Sequence, residues 1–217
     1  MNIIMNLVDI ILHVDKHLGA IIQNYGVETY IILFLIIFCE TGLVVFPFLP
    51  GDSLIFAAAA FAAIGSLNIV VLFFVILLAA FIGDSVNYEI GKKLGKKLEE
   101  KGKIIKKEHM EMTRNFFDKH GGKSIVLARF VPIVRTFAPF VAGSSNMNYT
   151  KFIRYNLLGS FLWVLICTFA GYFFGNIPVV KENFSLVILG IIAISILPMI
   201  IMYIINKKNQ SKELKNK

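Results

Sequence analysis

The chain has 217 residues, 57% of them hydrophobic and only 17% charged, with a mean hydropathy of +0.73 and a formal net charge of +8. Soluble domains carry about 25% charged residues, so the composition excludes an ordinary soluble domain and places one compact unit in a bilayer. The positive charge does not point to nucleic acid, because it is bunched in two segments without basic–aromatic interleaving and reads instead as cytoplasmic charge under the positive-inside rule.

Taken in chain order, residues 1–26 predict an amphipathic helix at the membrane interface. Asn2, Asn6, Asp9, His13 and Lys16 form one polar stripe, while Ile3, Leu7, Ile10, Val14 and Leu18 lie on the other face. A tilted first span is the alternative. Residues 27–64 are apolar but interrupted by Glu40-Thr41-Gly42 and by Pro47, Pro50, Gly51 and Asp52. Each half holds about 12–13 residues, roughly 20 Å of helix, which is too short for a 30 Å hydrocarbon core. The spacing predicts a re-entrant hairpin, whose broken backbone is tolerated only inside protein or beside a cavity. Residues 67–91 predict a spanning helix. The stretch 92–123 carries eleven Lys or Arg against five acids, a net of +6, and predicts one or two short amphipathic helices closed by Gly121-Gly122.

Residues 124–150 form a second broken segment, with Arg129, Pro132, Arg135, Pro139 and Gly143. Each Arg at a lipid-facing helix centre costs about 2.5–3.5 kcal/mol, so a second re-entrant hairpin is expected. Spans at 152–174 and 184–205 follow, then a tail at 206–217 with five Lys against Glu213. If both basic segments are cytoplasmic, the two hairpins enter from opposite faces and the C-terminus is cytoplasmic. The expected fold is therefore all-α: a single membrane domain over 1–217, with two opposed re-entrant helical hairpins, three to four spanning helices and the N-terminal amphipathic helix. Tyr88-x-x-Gly91 and Tyr172-x-x-Gly175 end the helices after the two hairpins, a weak internal repeat. Inverted repeats with broken helices are a transporter architecture. No cleaved signal is expected, since the N-terminus lacks a basic region and a small-residue cleavage site.

Charge at membrane depth marks the candidate site. Glu40 follows an apolar run and is a candidate for proton exchange; a helix-end carboxylate touching solvent is the alternative. Asp52 follows Pro50-Gly51 and suits both an N-cap and a hairpin tip. Arg129 and Arg135 flank Pro132 and offer a guanidinium pair for phosphate, or else snorkelling anchors. If the hairpins meet, Glu40 and Asp52 are positioned to neutralise both arginines. Asp84 and Tyr88, one turn apart, and Asn156 and Trp163, two turns apart, are supporting candidates. Cys39 and Cys167 read as small buried hydrophobes rather than a disulfide. No Cys/His cluster has metal-ligand spacing and no nucleophile-elbow or Walker motif occurs, so neither a metal, a cofactor nor an enzyme is expected.

These residues carry a resemblance. Glu40-Thr41-Gly42, Phe48-Leu49-Pro50-Gly51-Asp52, Gly83-Asp84 with Tyr88-x-x-Gly91, and Arg129-Phe130-Val131-Pro132-Ile133-Val134-Arg135-Thr136-Phe137-Ala138-Pro139 with Ala142-Gly143 resemble the bacterial DedA family. Met147, Phe152, Asn156, Gly159 and Trp163 extend the match, which covers roughly residues 27–175. The resemblance implies a multi-pass protein of the bacterial cell membrane, related to eukaryotic lipid scramblases. It also implies a link to the proton motive force, essential acids at Glu40 and Asp52, and essential arginines at Arg129 and Arg135. The family often has Glu where Asp52 stands; Asp keeps the charge and shortens its reach. Together these readings lead to an expected function: proton-linked translocation of undecaprenyl phosphate or another anionic lipid. An uncoupled phospholipid scramblase and a proton/cation or drug antiporter are the alternatives. The expected partners are a membrane lipid (polyprenyl phosphate or phospholipid) and protons, and the sequence is compatible with a homo-oligomer.

Overall fold

The computed structural model describes residues 14–43, 51–101, 107–145, 147–175 and 177–178. The predicted span at 184–205, the tail at 206–217, residues 1–13 of the first helix, and Pro47 and Pro50 of the first hairpin lie outside the described residues. Within them every regular element is helical: α1 (Val14–Tyr25), α2 (Thr29–Gly42), α3 (Gly51–Ala63), α4 (Ile69–Lys101), α5 (Lys107–His120), α6 (Ser124–Ala128), α7 (Pro132–Ser144) and α8 (Tyr149–Gly175). Short 3-10 turns at Gly26–Glu28 and Gly121–Lys123 join α1 to α2 and α5 to α6.

Local chemistry sets the helix ends. The Asn68 side chain accepts from the backbone N–H groups of Val70 (2.9 Å) and Val71 (3.1 Å), capping α4. Asn148 does the same for α8 through the Lys151 N–H at 3.2 Å. Beyond α3, Gly65 takes φ +82 while its N–H bonds Ala62 and the Ser66 N–H reaches back to Phe61, a left-handed closure suited to glycine. Gly121 takes φ +58 at the end of α5, where the sequence predicted closure. The break between α6 and α7 comes from Pro132. Val131, just before it, is extended (φ −119, ψ 105), and Pro132 opens the first turn of α7, where its missing N–H costs nothing.

Among the described residues, two stretches are long and apolar enough to cross a membrane, Ile69–Gly95 and Tyr149–Gly175. Each has 27 residues, or about 40 Å. Both present large apolar side chains outward: Val70, Phe74 and Leu78 on α4, and Phe161, Leu165, Phe169 and Phe173 on α8. Their inner faces bury Leu72, Ile76, Ala79 and Ala80, and Trp163 and Val164. Outward apolar side chains along helices of this length suit a lipid-facing surface. The apolar helices α2 and α3, with 14 and 13 residues, are about 20 Å long and fall short of a 30 Å core.

The structure differs from the sequence reading in two places. The helix expected to end at residue 91 continues to Lys101, so α4 has 33 residues and a length of about 50 Å. Lysine, leucine and glutamate are good helix formers, so the helix runs on through Gly91 and Gly95 beyond the point where hydropathy falls. Pro139, expected as a hairpin break, lies inside α7, and Gly143 lies in the last turn of that same helix.

The short helices are exchanged between the long ones. Helix α2 packs on α4 and α6 packs on α8, each on the long helix that follows it in the chain. By contrast α3 packs chiefly on α8, and α7 on α4. Glycines make the crossed contacts close: a Cβ at Gly91 would overlap the backbone of Phe140 in α7, and one at Gly171 the backbone of Phe56 in α3. We expect Gly91→Ala and Gly171→Ala each to destabilise the protein by about 1–3 kcal/mol, the usual cost of overpacking. Thermal unfolding in detergent would measure this, with the outward-facing Leu78→Ala as a near-neutral reference; equal behaviour of all three would refute the close packing.

Candidate functional site

Glu40 sits two residues before the end of α2, Asp52 in the first turn of α3 and Arg135 in the first turn of α7. The breaks on either side of these half-helices bring the three together. Arg135 donates from Nη2 to Glu40 Oε1 at 2.5 Å and from Nη1 to both oxygens of Asp52, at 2.8 and 3.0 Å. Its guanidinium lies over the Trp163 ring, 4.7 Å from the centroid, within cation–π range. Trp163 in turn donates its indole N–H to Asp52 Oδ1 at 2.8 Å. Asp52 therefore acts as a first-turn carboxylate holding Arg135 and Trp163. Its side chain is 37% exposed against 8% for Glu40 and 14% for Arg135, so it is the most exposed member of the cluster. The second Glu40 oxygen, Oε2, is buried against Gly51 at the start of α3, where any Cβ would overlap it.

Arg129 forms a second centre. It lies at the break after α6, is buried, and donates from Nη2 to Asp84 on α4 and to Asn156 Oδ1 (2.9 Å) and Ser160 Oγ (2.6 Å) on α8. Asn156 also donates to the Phe81 carbonyl of α4 at 3.1 Å, and Ser160 to the Asn156 carbonyl at 2.8 Å. The Trp163 ring links the centres, since Arg129 lies 5.7 Å from its centroid.

The four charged residues singled out in the sequence are thus gathered, but their pairing is redistributed. Glu40 and Asp52 both serve Arg135, and Arg129 takes Asp84, which the sequence suggested only as a supporting residue. Tyr88 does not join Asp84: it donates its hydroxyl to the Met147 carbonyl and stacks on Phe152, with ring centroids 4.5 Å apart. Ser160 and Asn87 are additions. Both are fully buried polar side chains on the spanning helices, and a polar residue on the inner face of an apolar helix was the available signal. Gly51 and Gly143 serve close packing: a Cβ on Gly143 would overlap the Tyr88 carbonyl of α4.

An all-helical membrane protein with an interior network of carboxylates and guanidiniums at the ends of broken helices is the class that this geometry defines. The chain matches the VTT domain over residues 49–173. It is 52% identical to Protein DedA of Escherichia coli K12 over 219 residues, covering 99% of this chain and 100% of that protein. It is 40% identical to an uncharacterized membrane protein of Mycobacterium leprae, covering 83% and 82%, and 34% identical to the inner membrane protein YqjA of Escherichia coli K12, covering 69% of each. No solved structure matches it. The chain belongs to the DedA family of VTT-domain membrane proteins.

Removing one member of a buried ion pair leaves the other uncompensated, at a cost of about 3–5 kcal/mol, whereas replacing both by apolar groups of similar volume is often close to neutral. We therefore expect Arg129→Met and Asp84→Leu each to lower thermal stability in detergent strongly, and the double variant to recover most of the loss. Additive losses would show that the two side chains act independently.

Proposed function

We propose that the protein is a membrane transporter that moves an anionic lipid headgroup, undecaprenyl phosphate or another phosphate-bearing lipid, across the bacterial cell membrane in a proton-coupled step. The observation that carries this reading is Arg135: a guanidinium held by two carboxylates from a different part of the chain, one of them 37% exposed. Guanidinium binds phosphate through the same paired N–H geometry that it offers to a carboxylate. A phosphate entering past Asp52 competes for the donors that Asp52 and Glu40 now hold. Each displaced carboxylate would then stand as an unpaired negative charge in a low-dielectric interior unless it takes a proton. Headgroup capture and proton uptake become one event.

The charge count supports the same coupling. Two arginines face three carboxylates, Glu40, Asp52 and Asp84, across the two centres, so the empty site already carries an excess negative charge, and an arriving phosphate adds to it unless carboxylates take protons. In this reading Arg135 is the first phosphate ligand. Arg129, enclosed by Asp84, Asn156 and Ser160, forms the floor of the site across the Trp163 ring. Helices α2–α3 and α6–α7 are the two re-entrant hairpins, entering from opposite faces, and the C-terminal tail is cytoplasmic. The protein is a carrier and not an enzyme. Its partners are the lipid and protons, with no cofactor.

The test is reconstitution in vesicles with a fluorescent polyprenyl phosphate, following its loss from one leaflet. Arg135→Ala should weaken headgroup binding by about 10- to 100-fold, the worth of a charge-assisted hydrogen-bonded contact, and reduce transport accordingly. Transport that is indifferent to Arg135→Ala would remove the proposal; transport that is indifferent to a collapsed pH gradient would leave an uncoupled scramblase. Linkage adds a sign. If binding takes up protons, affinity rises as pH falls, and Glu40→Gln should flatten that slope. A slope of the opposite sign would exclude proton uptake on binding.

A further inference from the structure

Asn87 lies on α4, one turn beyond Gly83 and fully buried. Its side-chain amide donates to two backbone carbonyls from separate half-helices, Thr41 in α2 at 3.1 Å and Thr136 in α7 at 3.0 Å. An amide nitrogen has two hydrogens, and each has one acceptor here. Both partners are carbonyls, so the nitrogen must face them; Oδ1 has no partner among the described residues, and the donated bonds alone fix the orientation.

The positions of the two acceptors are what matter. Thr41 follows Glu40 directly, and Thr136 follows Arg135 directly. Thr41 lies in the last turn of α2, where carbonyls run out of in-helix donors. Thr136 lies three residues before Pro139, whose missing N–H opens the same turn of α7 by leaving the Arg135 carbonyl without its helical donor. Asn87 thus grips the backbone beside each member of the Glu40–Arg135 pair, in the last turn of α2 and next to the carbonyl that Pro139 leaves free in α7, using the second lone pair of the Thr136 carbonyl. The long helix also gives way there: Gly83, one turn back, packs against Thr41 and Gly42 so closely that a Cβ would overlap the Thr41 hydroxyl.

We infer that Asn87 is a positioning residue that sets the register between the half-helices carrying Glu40 and Arg135, and so holds those side chains within ion-pair distance. It touches neither charge. It acts through the backbone, and its importance for transport rests on the reading of Glu40 and Arg135 as the working pair.

The test is a pair of double-mutant cycles on the full chain in detergent, read as apparent melting temperature. Glu40→Gln with Arg135→Gln reports the coupling of the first centre, and Asp84→Asn with Arg129→Gln that of the second. In the parent protein both cycles are expected to be non-additive. In an Asn87→Leu background, which keeps the bulk and removes both donors, the 40/135 cycle should lose more than half of its non-additivity while the 84/129 cycle keeps its own. Should Asn87→Leu fail to fold, Asn87→Ser serves, being too short to reach both carbonyls. An unchanged 40/135 cycle overturns the inference, and so does equal loss in both cycles, which is what general loosening produces. Vesicle transport by Asn87→Ser is measured in parallel. Selective loss of the 40/135 coupling in a protein whose parent moves no lipid would keep the positioning role and defeat the transport reading instead.

Discussion

The fold depends on the fact that a guanidinium cannot stand alone in a hydrocarbon medium. Arg135 must be neutralised, and its carboxylates come from residues 95 and 83 positions earlier in the chain. No local structure supplies such partners. The half-helices have to end inside the protein, so that a residue in the last turn of one and the first turn of another can face a common point. The broken helices and the charge cluster are therefore one feature. Unwound backbone is tolerated at depth only where protein surrounds it, and the buried ion pairs are tolerated only because the breaks bring their members together.

The exchanged packing follows from this requirement. Were each short helix packed only on its own long helix, the two halves of the chain would touch weakly and the charges would sit in separate halves. Because α3 lies on α8 and α7 on α4, residues from both halves surround each arginine. Gly91 and Gly171 make that exchange possible by letting helix backbones meet without side chains between them. With lipid no less apolar than the helix faces, close backbone approach and interhelical hydrogen bonds carry much of the association. Asn156 and Asn87, each bonded to a backbone carbonyl of another helix, supply bonds of that kind.

Much of this was legible in the sequence, for identifiable reasons. Half-length apolar runs beside Pro and Gly announce broken helices, because length and φ restriction are local properties. Arg129, Arg135, Glu40 and Asp52 stand out because a charge in an apolar run is costly wherever it points. The pairing was not legible. Asp84 lies 45 residues from Arg129 and read only as a supporting residue, and nothing in a linear pattern tells which carboxylate meets which arginine. The length of α4 was misjudged because the lipid boundary and the helix boundary are set by different physics: lysine ends a hydrophobic run and continues a helix. Pro139 was misjudged for the converse reason. A proline breaks a helix only if the freed backbone groups find no other partner, and within a packed membrane protein neighbouring helices supply one.

The two arginine centres share a tryptophan and differ in their enclosure, and that difference fits the separate roles proposed for them. Arg129 meets one carboxylate and two neutral oxygens on long, continuous helices. Its partners sit mid-way along these helices and cannot withdraw without moving a whole span. Arg135 is held by residues near the ends of short helices, where a change of backbone angle at a break moves a side chain without unpacking a span. One of its carboxylates is already partly open to the outside. A site that must bind and release needs a charge whose partners can leave one at a time, each leaving another behind to limit the penalty. Arg135, with two carboxylates and an aromatic face, has such a set of partners, whereas Arg129 has the surroundings of a fixed strut.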